Sequence, residues 1–492
     1  MSLPGTQLGL EMEMVVARRD NGESHIVSGY FPRLAQLKAK RGEAVTLNQI
    51  GSQVIGVYGP AGESGLDNGY NLLETSFSPV MGGPGGLNRL AARVRQELLD
   101  VQETLAQENA TVLNASEHPF CLLDHDWYMR IRVPRPIYDE LVGYRGWHHH
   151  IGIDAKAQNS PCTSVAIRDA VRALNVVLAL APAVIALFAN SPLEGGRVTG
   201  LKENRLTLWD RMFKYSRFTG DHFLQRLPEQ PFVDLGDYFR WMFGPNTVSR
   251  ALPLATGADY KVAVPIHLDG DPSLSQFLAA ASWIGRRADT GESVVLQPHS
   301  VYFEYSQFAH FLDARWRYQL TTRPPLPELL EAWGQLGGIE ELYERCGVDG
   351  YIEGRAPGAV FADAQLLQEA GTVVASSVPI APSAIQLGLM RNLNQAEQLL
   401  RDWGWLQLRT LRATAIRYAL ENETVHALAT EVMEVARGGL APDEHRWLAY
   451  ADYVLATRCT GADRLLTLWN QTAAIPQDAL ATVCAARAAI VT

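Results

Sequence analysis

No GxxxxGK[ST] segment occurs in the chain, so any nucleotide site it has is not a P-loop. There is no HExxH helix of the kind that holds zinc in metalloproteases. Cysteine is scarce: Cys121, Cys162, Cys346, Cys459 and Cys484 are scattered, odd in number and form no CxxC pair. That usage suits a reducing cytoplasm better than a disulfide framework. Positive charge is in deficit, with 43 Lys and Arg against 53 Asp and Glu and a net charge of −10. The balance argues against non-specific binding to nucleic acid or an anionic membrane. It leaves room for an anionic nucleotide held locally by metal ions. No apolar run reaches the roughly 20 residues that span a bilayer. The longest candidate, residues 171–189, carries Arg172, Asn175 and Pro182 and reads as a buried helix. The start, MSLPGTQLG, has no basic and apolar leader, so no signal peptide is expected. Internal repeats and low-complexity runs are absent as well.

What is present is an ordinary globular composition, 47% hydrophobic and 20% charged, over 492 residues, enough for two or three domains without extensive disorder. The organising stretch is LGLEMEMVV, residues 8–16. As a β-strand it puts Leu10, Met12 and Met14 on one face and Glu11 and Glu13 on the other. Paired carboxylates among apolar neighbours are costly unless something positive sits between them. Taken alone, the pair could equally be a solvated edge strand. The device recurs, however. Residues 71–80 put Leu72, Glu74 and Ser76 on one face, GWHHHIGID (146–154) reads as a strand with His148 and His150 sharing a face, and GYIEGRA aligns Tyr351, Glu353 and Arg355. If these strands lie in one sheet, that face is a bowl of carboxylates and imidazoles, stable when filled by divalent cations. Such ligands suit Mg²⁺ or Mn²⁺ better than zinc, and Mg²⁺ on carboxylates completes its shell with water and phosphates, which points to ATP. Elsewhere, residues 53–58 read as a short strand, and helices are expected over 87–106, 164–190, 395–418 and 424–437.

Several segments resemble the glutamate–cysteine ligase family, in the branch that includes plant and proteobacterial enzymes of the glutamine-synthetase-like superfamily. GLEMEM is similar to its G-x-E-x-E strand, and LDNGYNLLE to its LEPGGQFEL segment with one extra residue between the acids. GWHHHIGI is similar to H-x-H-x-G, ANSPLEGGRVTGLKENRLTLWD to the ANSP…G…TG…R…W segment, and GYIEGRA to YLEMRGAD. VMEVARGGL and GADRLLTLW resemble the C-terminal helices. Nothing within 210–345 aligns, and the family's aromatic-rich stretch after the last strand is missing.

The resemblance implies an α+β fold: a curved, mostly antiparallel sheet forming a glutamine-synthetase-like bowl, with helices outside. A catalytic unit over 1–390 would carry a helical region, 391–492, packed upon it. It implies metal ligands at Glu11, Glu13, Asp67, Glu74, His148 and Glu353, with Glu304 in YFEYS a rival to Glu353. Asp67 could equally be a turn-former in DNG. His150 would lie near the phosphates, and His149, facing away, would be packed or hydrogen-bonded. Arg355 would clamp a phosphoryl group, though it could be a surface ion pair with Glu353. Arg205 would receive a substrate carboxylate, or sit on a helix surface. The implied activity is ATP-dependent ligation of glutamate to cysteine through a γ-glutamyl phosphate, with Mg²⁺ or Mn²⁺, in the cytoplasm. The partners would be small molecules, with no nucleic acid or membrane. The competing readings are a same-family ligase for another amine or acid, a metal-dependent hydrolase, and a non-catalytic paralogue.

Overall fold

The computed structural model describes residues 5–245, 247–248, 252–254, 261–305, 310–472 and 476–492. Residues 1–4, the start of MSLPGTQLG, lie outside the described residues. The framework is a ten-stranded sheet: β1 (Gln7–Arg18), β2 (Thr46–Ile50), β3 (Gln53–Gly59), β4 (Gly62–Leu66), β5 (Leu72–Phe77), β6 (Val80–Met81), β7 (Ala110–Val112), β8 (Asn159–Ser164), β9 (Ala314–Leu320) and β10 (Val348–Gly354). Their order is β9-β10-β8-β1-β5-β4-β3-β2, with β6 and β7 also pairing β1, and every pairing is antiparallel. The strand that the alternation singles out is thus the centre of the sheet. Leu8, Leu10, Met12 and Met14 are buried on one face, while Glu11 and Glu13 keep partial access on the other. The fold is α+β, as expected.

Helices cover the apolar face. α1 (Gly86–Ala106) buries Leu87, Leu90, Val94, Leu98, Val101 and Leu105, the stripe that its periodicity predicts. α2 (Ala170–Leu187) is apolar all round because it is enclosed all round. Ile167–Leu187 is long and apolar enough to cross a membrane, but 83% of its apolar window is buried inside the protein. After it, α3 (Leu208–Phe213) leads back towards the polar face of the sheet.

The C-terminal half supplies α4 (Ala381–Arg391), α5 (Leu393–Trp403), α6 (Trp405–Tyr418) and α7 (Glu423–Gly439). The single helix expected over 395–418 is two helices. Gly404 between them has φ of 79°, a left-handed conformation that ends one helix and starts the next. α5, α6 and α7 pack on α2, and α4 lies beneath β8. Gln386 of α4 anchors it there, with Nε2 donating to Pro161 O at 3.0 Å, Thr163 Oγ1 at 3.1 Å and Ile352 O at 3.0 Å. Residues 193–300, which the sequence leaves largely unassigned, hold a separate four-stranded sheet (Leu252–Pro253, Pro265–Leu268, Trp283–Arg287 and Ser293–Leu296).

α4 and α7 cross backbone to backbone. A methyl group added to Gly388 would overlap the carbonyl of Ala436, and one on Gly439 would overlap the carbonyl of Gly388. Gly388→Ala should therefore push the helices apart and destabilise the protein by about 1–3 kcal/mol in urea unfolding. Gly83→Ala, where a methyl group meets nothing within 4 Å, should change stability by less than about 0.5 kcal/mol.

Candidate active site

A cavity of about 450 Å³ opens over the polar face of the sheet. Its acidic floor comes from the centre: Glu11 and Glu13 of β1, Glu74 and Ser76 of β5, Glu63 of β4, and Asp67 just after β4. The register sets Glu13 directly opposite Glu74, and Glu11 opposite Ser76. Directly opposed residues have Cβ atoms about 4.5–5.5 Å apart, where like charges repel. Burial, then Asp67 and Glu74, push the Glu13 carboxyl well above the usual range. Burial, then Asp67, raise Glu74 to about 7. Glu11 is raised by burial and by Glu353, against the pull of Arg317, Arg315 and Arg355. Glu13 also accepts a hydrogen bond from the Gln158 backbone N–H at 2.9 Å. The loop that carries Asp67 is fixed through its main chain. Arg135 and the Tyr138 hydroxyl donate to the Asp67 carbonyl, and Arg135 also donates to Leu66 O at 2.8 Å. The Asp67 carboxylate is left to Asn68 and the cavity.

The other end of the floor is basic. Glu353 of β10 is fully buried, and both carboxylate oxygens are taken by guanidinium groups. Oε2 accepts from Arg315 Nε at 2.8 Å and Arg317 Nη1 at 3.2 Å, and Oε1 accepts from Arg355 Nη1 at 2.9 Å. Burial pushes this carboxyl up, but the three arginines outweigh it and hold it well below the usual carboxylate range. Glu353 is therefore the counter-ion of an arginine cluster rather than a spare ligand. Arg315 and Arg317 of β9 lie in the stretch that aligned with nothing. The alternation ARWRYQL, with arginines two residues apart between aromatic residues, is the signal that would have found them. Arg205 is buried beside them, with Nε on Glu203 at 2.8 Å, Nη1 on Gln158 Oε1 at 3.1 Å and Nη2 on Ala356 O at 3.0 Å.

Beyond Glu353, which the arginines take from the expected metal ligands, two expectations fail. The triple histidine forms no strand. His149–Ile151 and Ile153–Ala155 are single 3₁₀ turns, and Gly146 and Gly152 bend the chain at φ of 74° and 92°. Tight turns abolish strand alternation, so His148 and His150 do not share the carboxylates' face. Both are half-buried, neither lines the cavity, and His148 stacks on Tyr215 with ring centroids 4.6 Å apart. It is His149 that enters the cavity wall. Burial, then Arg132 and His150, push it down to about 3, so its imidazole is neutral. Glu304 is the second failure. It sits in a short helix, Ser300–Tyr305, and pairs with Arg323 at 2.7 Å, away from the cavity lining. An aromatic run around an acid reads as a strand but here packs as a helical turn.

Among the described residues, no three His, Cys, Asp or Glu side chains already stand close enough to close a metal site. The donor chemistry nonetheless fits a hard cation: the carboxylates are oxygen ligands whose mutual repulsion a divalent ion would relieve.

The two ends predict opposite responses. Glu74 binds its proton more tightly when folded, so its contribution to stability is present below about 4.5, its ordinary value, and is lost as pH rises through about 7. In EDTA, raising the pH from 5 to 8 should cost about 1–3 kcal/mol through Glu74, and Glu74→Gln should shrink the total loss in denaturant titrations to the part that Glu13 and Glu11 contribute. Glu353→Ala should instead cost about 3–5 kcal/mol at neutral pH, since it strips three guanidinium groups of a shared buried partner.

Residues 7–223 match the family described as Glutamate-cysteine ligase family 2 (GCS2). No curated protein sequence gives a significant match. Among solved structures, the 2.0 Å crystal structure of a glutamate–cysteine ligase from Francisella tularensis in complex with AMP is 12% identical, with a TM-score of 0.48 over 98% of this chain and 87% of that one. A bifunctional glutathione synthetase from Pasteurella multocida is also 12% identical, with a TM-score of 0.46 over 98% of this chain and 51% of that one. The stretch that builds the acidic floor and carries Arg205 thus lies within the residues that match the model of glutamate-cysteine ligase family 2.

Proposed function

We propose that the protein is an ATP-dependent carboxylate–amine ligase that activates the γ-carboxylate of glutamate and joins it to an amine. Cysteine is the acceptor that the family's name supplies, and γ-glutamylcysteine, the first intermediate of glutathione biosynthesis, is the corresponding product. The observation that carries this reading is the polarity of one cavity, with the carboxylates of Glu13, Asp67 and Glu74 at one end, three guanidinium groups on a shared glutamate at the other, and Glu11 within reach of both. In this reading Glu11, Glu13, Asp67 and Glu74 hold Mg²⁺ or Mn²⁺, which when bound neutralises triphosphate charge.

The remaining roles fall to the chain's own groups. Arg355, Arg315 and Arg317, set in place by Glu353, present planar forks to the γ-phosphoryl oxygens. Arg205, oriented by Glu203 and Gln158, receives a carboxylate of the acid substrate. The γ-carboxylate oxygen attacks the γ-phosphorus and ADP leaves. The amine nitrogen then attacks the acyl carbon, phosphate leaves, and the surplus amine proton passes to solvent. Positioning and charge complementarity supply most of the acceleration, as in other phosphoryl transfers. No step is assigned to His148 or His150. Residues 1–390 form the catalytic unit on this account and 391–492 the helical region packed on it. The five free thiols suit a cytoplasmic enzyme.

Phosphate release from ATP should require Mg²⁺ or Mn²⁺, glutamate and an amine together. Release that persists in EDTA, or that ignores glutamate, would sink the reading. Arg355→Lys keeps the charge but loses the fork, so kcat should fall about tenfold or more with little change in KM. Arg205→Lys should mainly raise the KM for glutamate and leave the KM for ATP in place. The same pattern in both variants would make the division of labour wrong.

A further inference from the structure

The charged floor uses only part of the cavity lining. Trp147, Leu208, Trp209, Met212 and Phe311 form a continuous apolar wall of the same cavity. Trp209 and Phe311 lie with ring centroids 4.4 Å apart at 36°, and Trp147 meets Phe311 edge-on at 5.6 Å. The rings are held from behind. Trp147 Nε1 donates to Asp221 at 2.7 Å, and Phe213 packs against Trp147 at 4.7 Å. With Ile153 and Leu224 these residues make a small core of their own, separate from the core under the sheet.

One polar atom interrupts it. His149 is 1% exposed, and its Nε2 has no hydrogen-bond partner. Its Nδ1 lies 2.7 Å from the hydroxyl of Tyr128, which is itself fully buried. In the tautomer that pairs the phenol proton, the Tyr128 hydroxyl donates to Nδ1 and the imidazole proton sits on Nε2. Leaving a buried N–H unpaired costs about 1–3 kcal/mol, so a ligand atom that accepts from it gains that much in selectivity.

Trp209 and Phe311 are only half-buried, and a cysteine side chain, one methylene and one thiol, would leave most of their open ring surface wet. A nucleotide base presents several donors and acceptors along its edge, and this wall could answer only one of them. We propose that the wall receives a flat apolar group carried by the acceptor amine, stacked on Trp209 and Phe311, with His149 Nε2 donating one hydrogen bond to an oxygen of that substrate. The inference rests on the ligase reading for the identity of the ligand as an acceptor, and on the wall alone for its shape.

The test is phosphate release with ATP, Mg²⁺ and glutamate over a panel of acceptors: cysteine, glycine, phenylalanine, tryptophan, phenethylamine and tryptamine. Direct binding of phenethylamine and of adenosine is followed by calorimetry without ATP. The aromatic acceptors should turn over with a KM at least about tenfold below that of cysteine, a gain of the size that one buried ring supplies. Trp209→Ala should raise that KM about tenfold while the KM values for ATP and glutamate stay within about twofold, and Trp209→Phe should restore it. Preference for cysteine or glycine that is indifferent to Trp209→Ala would overturn the proposal and leave the ligase reading standing. Binding of adenosine, or a raised KM for ATP in Trp209→Ala, would overturn it by giving the wall to the nucleotide. If no amine releases phosphate, the ligase reading falls. Calorimetry then decides the wall: Trp209-dependent binding of phenethylamine upholds a site for flat apolar groups, and its absence overturns it.

Discussion

Glu13 and Glu74 face each other across neighbouring strands in the middle of the sheet. Nothing about the stability of an empty protein favours that arrangement. It is imposed from the other face, where Leu10, Met12 and Met14 pack against helices with almost no exposure. A slip of one residue would drive both glutamates of β1 into that core, so the apolar side sets the register and the acidic side has to accept it. The carboxylates remain crowded, partly desolvated and disposed to hold protons or cations.

The opposite end of the floor resolves the same electrostatic difficulty within the protein. Three arginines from β9 and the end of β10 share one carboxylate and keep a surplus of positive charge beside the cavity. One end therefore seeks cations and the other anions, with Gln158 and Arg205 between them. A ligand with both kinds of charge in a fixed order, such as a metal–nucleotide complex beside a carboxylic acid, is held in one direction only. The acidic end lies wholly within the family-matching residues, whereas Arg315, Arg317 and Arg355 lie beyond them. The two ends are thus of unequal visibility in the sequence.

That inequality explains what could be read in advance. Strict alternation in LGLEMEMVV and NLLETSFSPV gave away the acidic strands, because one buried face and one polar face leave little freedom in a strand. The apolar stripe of residues 87–106 was equally plain. The histidine segment misled because HHH satisfies an i, i+2 rule trivially. The glycines on either side, at 146 and 152, were the better guide, since both adopt a backbone that interrupts a strand. YFEYS misled through its composition, and the arginines of β9 escaped because they lie in a stretch of mixed loops and short elements. The aromatic wall was invisible for another reason. Its rings come from segments far apart in the chain, around residues 147, 209 and 311, and only the fold brings them to one surface.

Arg487 has a bearing on how such a molecule is made. Its guanidinium is buried against Asp363, Asn114 and Asn190, and Ala489 continues beside β7. β1 pairs with β5 soon after both emerge from the ribosome, but its neighbours through β8 come from residues 314–354, and the layer below is closed by the segment around residue 487. Chain closure over such separations is slow, and a half-finished sheet presents open edges meanwhile. Until those late segments are in place, the edges of the half-built sheet have no strand to pair with.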